Sequence, residues 1–398
     1  MSQTYIQNLL SVLYAFLKLG ITSFGGPAAH LGYFRKEFVE NRAWFTESQY
    51  AQLVAIAQFL PGPASSQVGF AVGLLRAGWL GALIAFISFT LPSVAVMLAV
   101  AWFLPSLQSD IAIMLTAALK VLACIIVTDA VLAMFRQFCL SISRALIAIV
   151  AFTVLMLYSV NALMLILLFI SAIVGGVIFK NEPQAEIINW QAPFSNRLAY
   201  FLIAIFVIIF GLSFWYVSEP TTLSGIFSGF YQTGSLVFGG GHVVLPLLEE
   251  QWLTNNIVSK ADFLAGYGAA QMLPGPLFSF AAYIAALLPV SNQAAAVSIA
   301  LAGIFLPGFL LMAAALPIWV RLSQYNFLRG AIIALNAAVV GILASVLIDP
   351  VLLSGIQVWP DALITLIAVL LLQTKKLAMI WVILLSLLIH LTINLSFG

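Results

Sequence analysis

Leu60-Pro61-Gly62-Pro63 returns 213 positions later as Leu273-Pro274-Gly275-Pro276, and in both copies a glutamine, Gln58 or Gln271, stands three residues before the first proline. Each copy lies between apolar segments. A helix cannot run through Pro-Gly-Pro. Each proline removes an amide donor, and its ring pushes the preceding Leu60 or Leu273 out of the α region. Broken backbone at membrane depth is tolerated only where protein buries it or where it lines a cavity. A pair of such breaks at matching positions in two halves points to the binding site of a transporter.

The rest of the chain supplies the membrane setting. Its 398 residues are 63% hydrophobic and 7% charged, with a mean hydropathy of +1.14. That composition excludes a soluble globular domain and describes a polytopic helical membrane protein. Met1 to Leu17 carries no Lys or Arg and does not read as a secretory signal peptide. Cys124 and Cys139 fall in or beside an apolar segment and suggest neither a disulfide framework nor a metal site.

Upstream of the first break, Asn8 to Phe24 is an apolar helix stopped by Gly25-Gly26-Pro27, and Ala28 to Arg42 is amphipathic. Thr46 to Leu60 is helical up to the break, and Ala64 to Leu75 continues after it. Apolar helices follow at about 79–104, 111–135, 143–159, 162–179 and 198–217, with Lys180 to Arg197 as the longest polar connection. The second half then repeats the first. Phe24-Gly25-Gly26 answers Phe238-Gly239-Gly240, Thr90-Leu91-Pro92 answers Phe305-Leu306-Pro307, and Ala118-Leu119-Lys120 answers Ala334-Leu335-Asn336. Several anchors in one order make a repeat. The expected organisation is a first transmembrane repeat at 1–180, a polar linker with a connecting helix at 181–222, and a second repeat at 223–398.

The charges orient it. The arms beside the breaks are too short to cross ~30 Å of hydrocarbon at 1.5 Å per residue, so each pair reads as a hairpin that enters and leaves on one side. Arg35, Lys36, Arg42, Arg76, Arg136, Arg144, Lys180 and Arg197 then fall on the cytoplasmic side, and Glu249, Glu250, Lys260 and Asp262 on the outer side. The expected fold is all-α, with two inverted repeats, paired broken-helix hairpins and full transmembrane helices, the N-terminus cytoplasmic and the C-terminus outside.

In this reading Pro63 and Pro276 open new half-helices. The amides that follow, at Ala64, Ser65 and Ser66 and at Leu277, Phe278 and Ser279, have no partner within the helix and combine with the helix dipole as an anion site. Gly62 and Gly275 let a ligand approach the backbone, and Gly25, Gly26, Gly239 and Gly240 offer two further helix starts. The alternative is a set of packing kinks whose amides are satisfied by Gln58, Gln271 or neighbouring helices. Lys120 lies deep in its helix and is a candidate counter-charge, with Asn336 as its repeat partner. Lys18, matched by Gln232, is a second intramembrane cation or a snorkelling side chain. His30 and His242 follow glycine breaks and could carry a coupling proton or serve as polar caps. Arg35 and Arg76 stand at an entrance or simply set topology. No metal cluster, nucleophile–base pair or phosphate loop appears, so neither a cofactor nor an enzyme activity is expected.

Phe24-Gly25-Gly26-Pro27, Gln58-x-x-Pro61-Gly62-Pro63, Phe238-Gly239-Gly240-Gly241-His242 and Gln271-x-x-Pro274-Gly275-Pro276, duplicated in order, resemble the long, two-repeat form of the chromate ion transporter family. Gly241 stands where the first half has Pro27. The resemblance implies a prokaryotic inner-membrane protein that exports chromate by alternating access and confers chromate resistance. Sulfate, another tetrahedral dianion, fits the same site. The partners expected are a small inorganic anion and the bilayer, with no nucleic acid, and a homodimer is compatible with the reading. The rivals are an anion channel and a membrane-embedded enzyme acting on a lipid phosphate.

Overall fold

The structure, a computed structural model, describes residues 3–104, 109–158, 163–180, 194–215, 219–238, 241–253, 257–322, 324–374, 381–382 and 384–390. Among them every regular element is a helix. α1 (Gln3–Thr22) leads into α2 (Gly26–Arg35), which ends in a π turn at Lys36–Asn41. α3 (Glu47–Phe59) and α4 (Ala64–Phe103) flank the first Pro-Gly-Pro. α5 (Ser109–Phe138), α6 (Ile142–Leu157) and α7 (Leu163–Ile178) complete the first half, and α8 (Asn196–Trp215) connects it to the second. There, α9 (Leu223–Leu236) is followed by a 3-10 turn at Gly241–Val243, α10 (Val244–Leu248) and a π turn at Glu249–Leu253. α11 (Lys260–Met272) precedes the second break, and a 3-10 turn at Leu277–Ser279 opens α12 (Phe280–Leu287) after it. α13 (Gln293–Leu322), α14 (Asn326–Val346), a π turn at Leu347–Leu352, α15 (Leu353–Gly355) and α16 (Trp359–Gln373) follow.

The repeat extends to irregular detail. Each half places a π turn between its short helix and its broken hairpin. Thr46 and Ser259, at matching positions, cap α3 and α11 by accepting the amides of Gln49 (3.2 Å) and Asp262 (3.1 Å). α1 packs on α4 as α9 packs on α13. Close approach explains the small residues there: a β-carbon at Gly20 would lie 2.8 Å from the Phe89 carbonyl oxygen, and one at Gly234 would strike that of Ile304.

The first half turns where the sequence reading separates the segment ending at Leu75 from the helix beginning at about 79. Ala77 (φ −144°, ψ 26°) and Gly78 (φ 67°, ψ −162°) leave the helical region. The chain doubles back, so that Gly73 and Gly81 face each other and a β-carbon on either would strike the other's carbonyl. α4 is thus two arms, one before Arg76 and one after Trp79.

Both breaks are tips of hairpins. Trp44, just before α3, receives the guanidinium of Arg76, at the end of the first α4 arm, 5.1 Å from its ring centroid. The two ends of that hairpin therefore meet. In the second half Gly266 lies against the ring of Tyr283, whose hydroxyl donates to the Asp262 carbonyl at 3.0 Å. α3 and α11 each have 13 residues, about 20 Å of helix. Among the described residues, five helical segments, at Ala64–Phe103 (the two arms of α4 taken together), Ile113–Phe138, Asn196–Trp215, Gln293–Leu322 and Asn326–Gly355, are long and apolar enough to cross a membrane. The fold is an all-α polytopic membrane protein built from two repeats with paired broken-helix hairpins.

Candidate functional site

Glycine makes each tip possible. Gly62 (φ 121°) and Gly275 (φ 94°) occupy the left-handed region that side chains disfavour. The Gly62 amide donates to the Val237 carbonyl at 2.7 Å, and the Gly275 amide donates to the Ser23 carbonyl at 3.1 Å. Ser23 and Val237 are themselves repeat partners, each at the end of the helix before a glycine break. Each tip also abuts the proline-containing helix of the other half. A β-carbon at Gly62 would lie 3.0 Å from Gly308 Cα on α13, and one at Gly275 would lie 3.0 Å from Ser93 Oγ on α4. The two breaks are therefore crossed through the centre of the molecule.

Polar groups gather where the Gly275 tip enters the first half. Nε2 of His30 lies 3.1 Å from the Ser23 carbonyl oxygen, and Nδ1 lies 3.4 Å from Ser65 Oγ. The carbonyl can only accept, so Nε2 carries the hydrogen, and in the neutral imidazole Nδ1 then accepts from the Ser65 hydroxyl. Phe89 packs edge-on to His30 with centroids 5.4 Å apart, and Phe16 and Phe34 surround Phe89. Ser23, His30, Ser65, Ser66, Thr90 and Ser93 are all buried. The amides of Ala64, Ser65 and Ser66 find no backbone acceptor among the described residues, as expected at a helix start. Gly25 (φ 102°) and Gly26 (φ 76°) turn the chain into α2 beside them.

The second helix start departs from expectation at one point. The Ser279 amide donates to the Pro276 carbonyl at 3.0 Å, because Leu277–Ser279 is wound as a 3-10 turn, whose tighter pitch closes a bond one residue earlier. Only Leu277 and Phe278 keep amides without a backbone acceptor there.

The glutamines are unlike. Gln58 is exposed, whereas Gln271 is buried. The first tip is instead held by Gln67, whose Nε2 donates to the carbonyls of Pro61 (2.9 Å) and Gly308 (3.1 Å). The sequence reading missed Gln67, Ser23, Thr90 and Ser93; a search for polar residues in the arms beside each break would have found them. Gly239 and Gly240 lie outside the described residues, as does the His242 side chain.

The basic residues sort differently. Lys18 Nζ pairs with Glu37 at 3.2 Å, and Arg42 holds the same carboxylate at 2.7 Å. Burial pushes the Glu37 carboxyl up, but hydrogen bonds from Arg42, Asn41 and Lys18 outweigh it and hold it below its ordinary value. Arg35 bridges Glu40 (2.6 Å) and Glu47 (2.7 Å), tying the end of α2 to the start of α3. Lys120 is half-buried on α5, with no hydrogen-bond or ion-pair partner among the described residues. Its neighbour Leu119 lays its carbonyl over Gly268 of α11, one and a half turns before the second break. Asn336, its repeat partner, has a buried Oδ1 without a hydrogen-bond partner among the described residues. Among the described residues no group of His, Cys, Asp and Glu could hold a metal ion.

A family model described as chromate transporter matches residues 10–177 and 224–391, one match to each repeat. The chain is 27% identical over 395 residues to a chromate transport protein of Cupriavidus metallidurans, covering 93% of this chain and 90% of that one. It is 27% identical over 346 residues to a probable chromate transport protein of Synechococcus elongatus, covering 82% and 81%. An uncharacterized transporter of Methanocaldococcus jannaschii is 25% identical over 391 residues, covering 96% and 93%. No solved structure matches the chain. Two crossed Pro-Gly-Pro hairpins, and a family match that falls separately on the two halves carrying them, lead to one assignment: the chain belongs to the chromate transporter family.

Proposed function

We propose that this protein is a secondary transporter of a tetrahedral oxyanion, chromate, which it exports across a prokaryotic inner membrane by alternating access. The observation that carries the reading is the crossing of the two tips, which buries glycine backbone, helix starts and hydroxyls together between the repeats. An inorganic dianion has no apolar surface, so its affinity must come from such amides, hydroxyls and helix dipoles. Residues 1–180 and 223–398, opposite in membrane orientation and joined by 181–222, are the two units that rock about the site. Export is helped electrically, since moving negative charge outward gains ~2.3 kcal/mol per charge per 100 mV of inside-negative potential. The site works by binding and displacement, with no chemical step on the substrate.

The test is uptake of labelled chromate and sulfate into inverted membrane vesicles. Saturable chromate uptake that sulfate inhibits is the expected result. Uptake that rises linearly with concentration would instead indicate a channel. Sulfate is the second reading, because amides and hydroxyls recognise charge and shape rather than the central atom.

A further inference from the structure

We infer that the two crossed junctions are unequal and that the oxyanion binds at one, where the Gly275 tip meets Ser23, His30, Ser65 and Ser66. This rests on the transport reading above. The repeat makes the junctions equivalent in backbone, each with a tip amide bonded to the far half's break. Their side chains differ. Ser23, His30, Ser65 and Thr90 in the first half are answered by Val237, Val244, Phe278 and Phe305 in the second. Phe278 and Phe305 pack their rings 5.8 Å apart where the first half has Ser65 and Thr90. Gln67 occupies the Gly62 tip itself, hydrogen-bonded to Pro61 and Gly308. Its own counterpart, Phe280, lies among Phe263, Tyr267 and Tyr283 and leaves the Gly275 junction alone.

The hydroxyls point to the same side. Helical Ser and Thr in this protein commonly donate to a carbonyl about one turn back, as Thr22, Thr128, Thr233 and Ser235 do. Among the described residues four buried hydroxyls have no partner: Ser23, Ser66, Thr90 and Thr365. Three of these belong to the first-half elements that meet the Gly275 tip. Orphaned buried groups are rare, and three of them in the elements that meet one tip call for a ligand rich in acceptors. His30 fixes the neighbours of that ligand by donating to the Ser23 carbonyl and accepting from Ser65. The free donors are then the three hydroxyls and the first amides of α4, a set suited to a dianion with several oxygens.

The experiment measures chromate and sulfate binding to the purified full-length protein, with folded monomer quantified by gel filtration. Ser23→Ala and Ser66→Ala should each weaken binding by about tenfold, as loss of one hydrogen bond to a charged group would. Val237→Ala and Val244→Ala, at the positions that match Ser23 and His30, should leave it unchanged. In a background without Cys124 and Cys139, sulfate should protect Ser65→Cys from alkylation and leave Phe278→Cys unprotected, a readout that needs no change in affinity. Equal loss at both junctions, loss only on the Gly62 side, or wild-type binding by all four alanine variants would overturn the asymmetry. Binding of neither oxyanion by the wild type would remove the transport reading, and this inference with it.

Discussion

The amide of Gly62 donates to the carbonyl of Val237 at 2.7 Å, and its twin Gly275 donates to Ser23 at 3.1 Å. Each half therefore holds the other's broken tip, and a change at one tip is felt at the junction with the opposite half. Leucine at either glycine would need a left-handed backbone angle, and its β-carbon would press on Gly308, or on Ser93 and Phe89. Gly62→Leu and Gly275→Leu should each abolish vesicle uptake of chromate. Gly62→Ala, with strain of roughly 1–2 kcal/mol, should lower chromate binding more than it lowers the folded amount recovered by gel filtration. Normal binding by either leucine variant would reduce that break to a kink.

Glu37 is buried at the base of the first hairpin, between Lys18 and Arg42. Its carboxyl titrates below its ordinary value in the folded protein, so the stabilisation is complete above the ordinary Glu pKa of ~4.3 and is lost as pH falls through the lower folded value. Glu37→Gln should lower stability by about 1–3 kcal/mol at neutral pH, less than for a fully buried pair because Lys18 is largely exposed. The loss should shrink in acid. Thermal unfolding of the detergent-solubilised protein at pH 7 and pH 4 measures both; an unchanged melting temperature at pH 7 would show the pairing to be energetically idle.

Gly73 and Gly81 let the two arms of α4 touch. Gly81→Ala should cost about 1–3 kcal/mol by overpacking. The doubled-back turn at Ala77-Gly78 predicts this; a straight helix would gain from the better helix former. The sign of the change in melting temperature decides between them.

Opposite orientation of the repeats has a direct readout. Ser141, between α5 and α6, and Gln357, before α16, occupy matching loops and are exposed. Single cysteines there, in a version lacking Cys124 and Cys139, should react with an impermeant thiol reagent from opposite faces of the membrane, Ser141→Cys from the cytoplasm. Reaction of both from one face would show the repeats to be parallel.

Lys120 has no hydrogen-bond or ion-pair partner among the described residues and stands on α5 beside α11. The proposed role as a counter-charge on the path of the anion predicts that Lys120→Gln reduces uptake by roughly tenfold or more at unchanged protein level, with Lys120→Arg retaining part. Normal uptake by the Gln variant would assign Lys120 to structure.

What was legible in the sequence followed from backbone chemistry. Pro-Gly-Pro breaks a helix whatever surrounds it, so both tips, the glycine break at Gly25-Gly26 and the repeat could be read from spacing alone. The hairpins followed from arm length, and Arg76 on Trp44 closes the first. Tertiary contacts were not legible. Gln58 lies three residues before the first break and Gln67 four residues after it, yet only Gln67 reaches its carbonyls, because the turn at Pro63 aims the next helix, and not α3, at Gly308. Ser23 and Thr90 looked like ordinary small polar residues in apolar helices, since an unsatisfied hydroxyl has no signature until its neighbours are known. Lys18 looked like an intramembrane charge because Glu37, which neutralises it, lies 19 residues away across two turns.

The exchanged hydrogen bonds at Gly62 and Gly275 also bear on how the molecule is made. A first half synthesised alone would leave the Gly62 amide without its Val237 acceptor, at a cost of several kcal/mol for a group left bare in hydrocarbon. It is an unfinished object, waiting for a complement that emerges from the ribosome only after α8. Joining both halves in one polypeptide guarantees that complement at a ratio of one to one, and it makes the last stages of synthesis the moment at which the first half can complete its own interior.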